Sequence, residues 1–586
     1  MRNPEAPRLV SVYRRAVPKR ARRVIASRVD ADLRKQVKMG IAGATSAAER
    51  MRAARVARRH HALLRRPGRT VVMVSGDAKV ALVAPGVTPL EARRANLRAV
   101  LDALAGAGLD HFCVRGRSET SAAVAVRAED RARVLNALAA LCDDEPGYVT
   151  AVQGNAPVRA ESLPGFEPAS WRRMAAAGTI RLTWYRTDAS ERLVLGSRYG
   201  CDIEFWTEEE GRLVAPRTGK YAEDIPADAK TLDVSEAYFT NLAPRTPAVD
   251  AEGAPAPEVV VRTREPFAIH AVDEVRFPVD VVYTWVDGAD PAWLARRARY
   301  SGEGYHEESA NAARYLSRDE LRFSLRSLHL YAPWVRTVYL VTDDQVPHWL
   351  DPGAPGLQLV SHRDIFPSGD FLPTFNSHAI ESQLHHIEGL SEYFLYFNDD
   401  VMLGKEIVPQ DFFLANGTTK FFPSPALVPL GDKTDDDPPV AAAGKNNRRV
   451  LEEHTGATII HKMKHMPHAL SRTVLTEIEH TFAEAYQKTR ASRFRSMEDI
   501  SIASSLHHYY ASHTRRAIPA KLPYAYFDLS HPFTEARLGR LLAKRDRTVF
   551  CVNDTVSTDE DVTAQKDLIT PFLEEYFPVP SPFERR

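Results

Sequence analysis

The 586-residue sequence has few cysteines and lacks any long apolar run. Its four cysteines, Cys113, Cys142, Cys201 and Cys551, are widely spaced and form no CxxC motif, which argues against a disulfide framework and against structural zinc. No stretch of about 18 consecutive apolar residues occurs, so no transmembrane helix is expected. The basic N-terminus also lacks the apolar core of a secretory signal. These absences predict a cytoplasmic protein.

The formal net charge of +1 conceals a strong separation of charge along the chain. Residues 1–70 contain 20 Lys and Arg against 4 Asp and Glu, and the remaining residues carry a net charge of −15. We expect residues 1–69 to form a basic arm that is helical or disordered. One hypothesis is peripheral contact with the anionic inner face of the plasma membrane. It would fail if an arm-deleted chain bound anionic liposomes as well as the intact chain. No nucleic-acid-reading motif accompanies the arm, so no specific nucleic acid is expected.

Turn and proline signals divide the rest of the chain into three parts. Residues 70–242 predict an α+β domain of unknown role, with a helix that begins at the capping box Thr88-Pro-Leu-Glu91. Prolines mark residues 243–275 as an extended linker, and residues 276–586 form a further domain. Asp202 and Glu204 alternate onto one face of a predicted strand. Such a pair can bind metal in a nucleotidyltransferase, but a solvent-facing strand edge is far commoner.

The C-terminal part repeats one pattern, a strand that ends in acidic residues. Four aromatics among residues 393–397 predict a buried strand, and Asp399 and Asp400 follow it. Residues 279–285 form a second predicted strand that leads into Asp287-Gly288, and residues 337–342 a third that leads into Asp343-Asp344. Helices are predicted over 310–330 and 377–390. This alternation predicts an α/β fold with a mostly parallel, Rossmann-like sheet and helices on both faces.

In such a sheet the acidic residues would meet at the carboxyl edge, where ligands of open α/β sheets bind. Adjacent carboxylates there can hold a divalent cation through hard oxygen ligands and leave positions for phosphate oxygens. The alternative is a polar turn without a ligand, because Asn and Asp both suit turns. Three strands with acids at the same edge favour the cation site.

Five stretches carry a family resemblance: residues 280–288, 318–344 and 372–405, the pair His465-Met-Pro-His468 and Arg493 to Asp499, and residues 550–554. In this order they resemble the four conserved regions of the Stealth family. That family comprises bacterial capsular or exopolysaccharide hexose-1-phosphate transferases and the animal N-acetylglucosamine-1-phosphotransferase. The resemblance spans roughly residues 279–560 and does not include the first 275.

The resemblance implies a phosphotransferase of the nucleotide-sugar type. The expected reaction moves a hexose-1-phosphate or N-acetylhexosamine-1-phosphate from a nucleotide-diphosphate sugar, with a UDP-sugar favoured, to a hydroxyl of a glycan acceptor. A nucleoside monophosphate leaves. Positioning and charge neutralisation dominate phosphoryl-type transfer, so Mg²⁺ or Mn²⁺ is the expected cofactor. The pathway would be capsular or exopolysaccharide synthesis.

The resemblance also implies roles for individual residues. The imidazole of His465 could accept the acceptor's proton, with His468 as the second choice, and the planar fork of Arg495 could hold phosphate oxygens. The predicted catalytic residues are Glu381, Asp400, His465 and Arg495. The predicted nucleotide-binding residues are Thr284, Trp285, Asp287, Gly288 and Asn553. The predicted metal ligands are Asp399, Asp400 and Asp554.

Two other classes of function stay open on the sequence. A metal-dependent glycosyltransferase would use the same carboxylates but release a nucleoside diphosphate. A noncatalytic glycan- or membrane-binding protein would hold a cation structurally. Residues 424–450 are polar and contain Asp435-Asp-Asp-Pro-Pro439, which predicts a mobile insert within the catalytic domain.

Overall fold

A computed structural model describes residues 47–153, 156–157, 162–245, 258–300, 317–554 and 559–585. Most of the predicted basic arm, part of the predicted linker and the start of the predicted 310–330 helix lie outside these residues. Within the described part, residues 47–59 are helical and the short helix His61–Leu64 follows. No helix of the described residues combines the length and apolar character needed to cross a membrane.

The N-terminal half contains fifteen described strands and three further helices. The strands are β1 (Arg69–Val74), β2 (Asp77–Val83), β3 (His111–Cys113), β4 (Ala122–Arg127), β5 (Gly147–Gln153), β6 (Ala156–Pro157), β7 (Leu163–Pro164), β8 (Thr179–Trp184), β9 (Arg186–Thr187), β10 (Val194–Leu195), β11 (Cys201–Glu209), β12 (Arg212–Val214), β13 (Asp224–Pro226), β14 (Thr231–Ser235) and β15 (Val260–Arg264). The helices are Pro89–Gly106, Arg131–Asp144 and Pro168–Met174. Strands β1, β2, β9 and β10 form one sheet, and the other eleven form a mixed sheet. Strand β15 lies within the predicted 243–275 linker and pairs with β14 and β3, so the prediction of an extended linker is wrong for residues 260–264.

The predicted helix start at Thr88 is confirmed. The Thr88 hydroxyl accepts a hydrogen bond from the Glu91 backbone N–H, and the Glu91 carboxylate accepts one from the Thr88 N–H. The helix therefore begins with two backbone donors satisfied reciprocally. All four cysteines are free and buried.

The carboxylate pair on β11 is engaged by arginines. Arg181 donates to both oxygens of Asp202, at 2.5 and 2.9 Å. Arg217 donates to Asp202 and Glu204, each at 2.8 Å. Both acids are buried, so the solvent-facing edge expected for them is wrong. Their paired charges give them a structural role in this sheet.

The C-terminal half is built on a five-stranded sheet. Its strands are β16 (Val279–Thr284), β17 (Val338–Thr342), β18 (Leu357–Ser361), β19 (Tyr393–Asn398) and β24 (His468–Ser471). They lie in the order β18-β17-β16-β19-β24, and all are parallel except β24, which is antiparallel to β19. The chain therefore reverses its direction of progress across the sheet between β16 and β19, which is where ligands bind in such folds.

Helices cover both faces of this sheet, as the sequence predicts. Successive residues of β16 point to opposite faces, so Val281 and Tyr283 pack on one side and Val282 on the other. The first side carries the helix Glu320–Tyr331. The second carries the helices Ser377–Glu381 and Arg472–Thr481. The sheet is buried on both faces, which explains its near-continuous apolar strands.

The remaining elements complete the C-terminal half. The strands are β20 (Val401–Leu403), β21 (Thr419–Phe421), β22 (Pro423–Leu427), β23 (His461–Met463), β25 (Ala517–Pro519), β26 (Tyr524–Asp528) and β27 (Val549–Asn553). The helices are Pro291–Tyr300, His362–Ile365, Pro439–Thr455, Ala483–Ala491, His507–His513, Thr534–Lys544 and Asp559–Tyr576, with a π-helical turn at Ile502–Leu506. Strands β20, β27 and β26 form a small sheet that starts where β19 ends.

The prediction of a mobile insert over 424–450 is wrong. The segment holds β22 and most of the helix Pro439–Thr455, which begins with Pro439 in its first turn and ends at Gly456 in the left-handed region (φ 70°). Asn446 and Asn447 donate side-chain hydrogen bonds to backbone carbonyls of residues 497, 499 and 501. Proline at the start and glycine after the end are ordinary helix signals that the acidic run before them concealed.

The predicted 377–390 helix is also shorter than expected. It covers Ser377–Glu381, and a 3-10 turn at Leu384–His386 follows. The Tyr486 hydroxyl donates to the Ser382 carbonyl, so a side chain replaces the hydrogen bond that a continuing helix would supply. The break places Glu381 at the last helical position.

Candidate active site

A cavity of about 390 Å³ opens at the carboxyl ends of β16 and β19. Thr284 and Asn398, the last residues of these strands, are register partners and both line it. Of the predicted site residues, seven others line the cavity with Thr284: Trp285, Asp399, Asp400, His465, Arg495, Asn553 and Asp554. The ends of β16 and β19, the segments that hold His465 and Arg495, and the end of β27 therefore meet at one site.

Asp400 lies in the turn between β19 and β20 and is the most connected carboxylate of the cavity. Its Oδ1 lies 3.0 Å from His465 Nε2, and its Oδ2 accepts a hydrogen bond from Asn553 Nδ2 at 2.5 Å. The Cys551 thiol lies 3.4 Å from the same Oδ2. Antiparallel pairing of β20 with β27 positions these partners, because Val401 is opposite Cys551.

His465 lies in the loop between β23 and β24. Its backbone carbonyl accepts a hydrogen bond from the Tyr524 hydroxyl at 2.9 Å, which fixes the loop against β26. Nε2 lies 3.3 Å from Asn398 Nδ2 as well as close to Asp400. The ring is therefore oriented at Nε2 by two residues from the end of β19, which leaves Nδ1 as the nitrogen that can take up a proton.

The charges of the cavity shift one another's pKa values. Burial alone would raise the pKa of Asp400, but the nearby charge of His465 and the hydrogen bonds from His465, Cys551 and Asn553 together outweigh burial and lower it. Burial alone would lower the pKa of His465, but its interactions with Asp400, together with the charges of Glu381 and Asp399, outweigh burial and raise it. Burial, Glu320 and Asp400 together raise the pKa of Asp399 well above its ordinary value. The site therefore holds a hydrogen-bonded Asp400–His465 pair beside a carboxylate whose repulsion with its neighbours is only partly offset.

This crowding of carboxylates fits a bound cation. Asp399 and Asp400 are adjacent, and Glu320 lines the same cavity, so a divalent ion would offset the repulsion that raises the pKa of Asp399. Carboxylate and amide oxygens dominate the donor set, which suits Mg²⁺ or Mn²⁺. Asp554 is a poorer candidate ligand than predicted, because its Oδ2 already accepts hydrogen bonds from Arg318 at 3.1 Å and Gln565 at 3.0 Å.

Glu381 lies behind the cavity rather than in its wall. The Ser504 hydroxyl donates to its Oε2 at 2.9 Å, and the Tyr396 hydroxyl lies 3.4 Å from its Oε1. Tyr396 is also within 3.0 Å of the Thr284 hydroxyl, which does line the cavity. A chain of hydrogen bonds thus joins Glu381 to the cavity, and Ser504 reaches it from the π-helical turn, a feature common at functional sites.

Arg495 and Trp285 both line the cavity. Arg495 Nη2 donates to the Ser377 hydroxyl at 2.8 Å, and both residues line the cavity. Trp285 is mostly buried and also lines it. A partly exposed guanidinium beside carboxylates can hold phosphate oxygens across a cation. An aromatic wall can contact a nucleobase.

Asp287 and Gly288 are displaced from the cavity, contrary to their predicted role. Neither residue is among the described residues that line the cavity. Asp287 instead closes a turn, since its Oδ1 accepts from the Ala289 N–H at 2.9 Å. The Gln345 side chain joins the Asp287 backbone N–H and carbonyl, at 2.9 and 3.0 Å. These contacts support the backbone after β16, which is a structural role.

Sequence reasoning missed Arg318 and Glu320 as site residues. Arg318 pairs with Glu320 at 3.3 Å and with Asp554 at 3.1 Å, and all three line the cavity. Burial raises the pKa of Glu320 despite Arg318. An acidic residue in the first turn of a helix usually stabilises the helix dipole, so Glu320 gave no indication of a site in the sequence alone. His362 and Phe375 also line the cavity and were not predicted.

His468 is a core residue, which separates it from His465. Its Nδ1 lies 2.9 Å from His508 Nε2 in a stacked pair, and the neighbouring His507 Nε2 accepts from the Ser471 N–H at 3.1 Å. Burial lowers the pKa of His468 and His508 well below the ordinary value and that of His507 to about 3. The three imidazoles are therefore neutral and structural.

This cluster predicts a loss of stability in acid. A histidine with a depressed folded-state pKa keeps its full contribution above the unfolded-state value of about 6.5 and loses it as the pH falls toward the folded-state value. His507 alone should cost about 2 kcal/mol of unfolding free energy between about pH 7 and pH 5. His507→Gln should remove that part of the pH dependence, measured by urea unfolding at both pH values. The exposed His513→Gln on the same helix is the control, and equal slopes for both variants would contradict the assignment.

Comparison with known proteins places the cavity within a set of matched regions. Residues 277–305, 314–421, 464–512 and 539–586 match Stealth protein conserved regions 1, 2, 3 and 4. The chain is 56% identical over 599 residues to an exopolysaccharide phosphotransferase of Streptomyces coelicolor, covering 100% of this chain and 99% of that protein. It is 32% identical over 524 residues to one of Mycobacterium tuberculosis, covering 88% and 92%.

Solved structures show only a distant likeness. The galactosyltransferase LgtC is 10% identical and covers 49% of this chain and 95% of that chain, with a TM-score of 0.26. The glycosyltransferase GlyE of Streptococcus pneumoniae is 11% identical and covers 53% of this chain and 66% of that chain, with a TM-score of 0.25. These scores are too low to establish a shared fold.

Proposed function

The chain belongs to the Stealth family and is a transferase, and we propose that it moves a hexose-1-phosphate or N-acetylhexosamine-1-phosphate to a glycan hydroxyl in exopolysaccharide synthesis. The donor is a nucleotide-diphosphate sugar, and the leaving group is a nucleoside monophosphate. The similar proteins of Streptomyces and Mycobacterium are named exopolysaccharide phosphotransferases, and the similarity covers 99% and 92% of their lengths. The observation that carries the proposal is the Asp400–His465 pair within a cavity of carboxylates.

In this proposal His465 acts as the general base. The acceptor hydroxyl gives its proton to Nδ1, the ring nitrogen that does not face Asp400, as its oxygen bonds to the phosphorus that bears the sugar. The bond from that phosphorus to the bridging oxygen breaks, and the monophosphate leaves with the bond's electrons. Asp400 orients the ring and stabilises the imidazolium that forms, as its effect on the pKa of His465 indicates.

The other cavity residues position the donor. Arg495 faces the phosphates, and Trp285 and Thr284 form the wall next to the nucleotide. Asp399 and Asp400 would hold Mg²⁺ or Mn²⁺, and Asn553 would complete the polar shell; such a bound ion neutralises charge on a diphosphate. Glu381 acts through Tyr396 and Ser504 as a positioning residue, because it does not reach the cavity wall.

Two finer parts of the proposal concern the donor nucleotide and the location of the enzyme. A UDP-sugar is the favoured donor, from the family resemblance. Peripheral contact of the basic N-terminal residues with the inner face of an anionic membrane would place the enzyme beside its polymer in the cytoplasm. Residues 1–46, which carry most of that charge, lie outside the described residues, so this contact stays a prediction.

The leaving nucleotide tests the proposed reaction. Incubating the chain with a panel of nucleotide sugars, a glycan acceptor and Mg²⁺ or Mn²⁺ should release a nucleoside monophosphate, identified by ion-exchange chromatography. A chelator should abolish release, because the carboxylates of the cavity then repel the donor. Release of a nucleoside diphosphate would show attack at the sugar carbon instead, which is glycosyl transfer. The absence of any nucleotide product would favour a noncatalytic role.

A further inference from the structure

A second group of metal-ligating side chains lies outside the cavity. His385 and His386, in the 3-10 turn, both direct Nε2 at the same carboxylate oxygen, Glu479 Oε2, at 2.9 and 3.1 Å. Glu479 belongs to the helix Arg472–Thr481. Two imidazole nitrogens and one carboxylate oxygen from two segments of the chain therefore converge on one point.

The surroundings hold these three groups in place. Arg490 Nη1 contacts the other carboxylate oxygen, Glu479 Oε1, at 3.3 Å, which leaves Oε2 directed at the imidazoles. Arg472, seven residues before Glu479 on the same helix, donates to the His385 and Leu390 carbonyls at 3.2 and 2.8 Å. The turn and the carboxylate are thus fixed by separate contacts. Such outer contacts orient the ligands of metal sites.

We propose that His385, His386 and Glu479 form a binding site for a divalent transition metal of the zinc class. Two imidazoles and one carboxylate are a zinc ligand set, and water can take the fourth position. The side chain of His386 is 41% exposed, which gives an ion access from solvent. Nitrogen ligands favour zinc over the magnesium or manganese expected in the cavity.

The geometry needs little adjustment to accept the ion. Metal–ligand bonds of about 2.0–2.2 Å in a tetrahedron separate the ligand atoms by about 3.4 Å. The observed separations of 2.9 and 3.1 Å from the carboxylate oxygen are a few tenths of an ångström shorter. A shift of a few tenths of an ångström of the Glu479 carboxylate away from both imidazoles supplies the difference. The alternative is that these three side chains only form hydrogen bonds with each other and bind no ion.

The site would connect two conserved regions of the chain. His385 follows Glu381 by four residues within conserved region 2, and Glu479 lies in conserved region 3, which also contributes His465 and Arg495 to the cavity. None of the three ligands lines the described cavity wall. A bound ion would hold the turn after Glu381 against the helix of the other region, which is a structural role independent of the reaction proposed above.

Zinc stoichiometry tests this site without an activity assay. The full chain is stripped with a chelator, titrated with Zn²⁺ in excess Mg²⁺, and its bound zinc is counted. His386→Ala and Glu479→Gln are compared with His480→Ala, an exposed histidine next to Glu479 on the same helix. Asp400, His465 and Cys551 also converge in the cavity, so the readout is the difference between variants.

We expect His386→Ala and Glu479→Gln each to lose one zinc equivalent per chain relative to His480→Ala. Zinc should also raise the thermal unfolding midpoint of His480→Ala and leave that of His386→Ala unchanged. Because His386 is partly exposed, its truncation leaves the core intact, and circular dichroism verifies the fold. Equal zinc content in all three variants, including none, would show a hydrogen-bonded cluster only and overturn the proposal.

Discussion

Asp400→Asn is expected to lower turnover by about a thousandfold or more and to leave the fold nearly unchanged. The substitution removes the charge that raises the pKa of His465 and that would help to hold a cation at Asp399. Asparagine keeps the shape and can still accept the hydrogen bond from Asn553. It also relieves repulsion with Asp399 and Glu320. The unfolding free energy should therefore change by no more than about 1 kcal/mol.

The measurement is the rate of mononucleotide release together with thermal unfolding of the same preparation. Asp344→Asn is the matched control: it is an aspartate at the end of β17, it is outside the cavity wall, and its φ of 59° suits asparagine. This control should keep its turnover. A large drop in the unfolding midpoint of Asp400→Asn with residual activity would instead indicate a cation that serves structure, as in a noncatalytic binding protein.

His465→Gln should reduce turnover by about a hundred- to ten-thousandfold, the usual worth of a general base. Glutamine can retain contacts with Asp400 and Asn398 but cannot take up the acceptor's proton. The fall should be in kcat rather than in the apparent affinity for the donor, since the base acts on the acceptor hydroxyl. Steady-state kinetics with varied donor and acceptor concentrations separates the two.

His468→Gln provides the contrasting variant. His468 is buried against His508, so its replacement should lower stability and leave the kcat of the folded fraction within a fewfold of the original. Equal loss of kcat in both variants would show that the stacked histidines take part in proton transfer. A normal kcat in His465→Gln would remove the general-base assignment altogether.

Sheet architecture was predictable from local patterns. Strand β19 has four aromatics in five residues and acids directly after it, so burial and the position of the carboxylates followed from composition and order. The capping box at Thr88 also indicated a helix start, because its hydrogen bonds are made within four residues. The 439–455 helix is hard to predict, because the Asp-rich run before Pro439 is typical of a loop and conceals the Pro and Gly signals at the ends of the helix.

The cavity was only partly predictable. Eight of the predicted site residues line it, but Asp287, Gly288 and Glu381 do not. Asp287 shares with Asp400 the signal of an acid after a strand, and only its contacts with Ala289 and Gln345 show that it closes a turn. Nothing in the two-residue spacing of Arg318 and Glu320 indicated that their helix begins at the cavity.

The order of strands and acids along the chain by itself determined the class of fold and the edge at which a ligand binds, because alternation and apolar runs are local properties of the sequence. Only the tertiary structure decided which polar groups meet there. Pairing of β20 with β27 brings Asn553 to Asp400 from 153 residues away. The core cluster of His468 with His508 leaves His465, of the two histidines predicted as candidate bases, at the cavity. Contacts across such separations depend on strand register and packing, which no short stretch of sequence encodes.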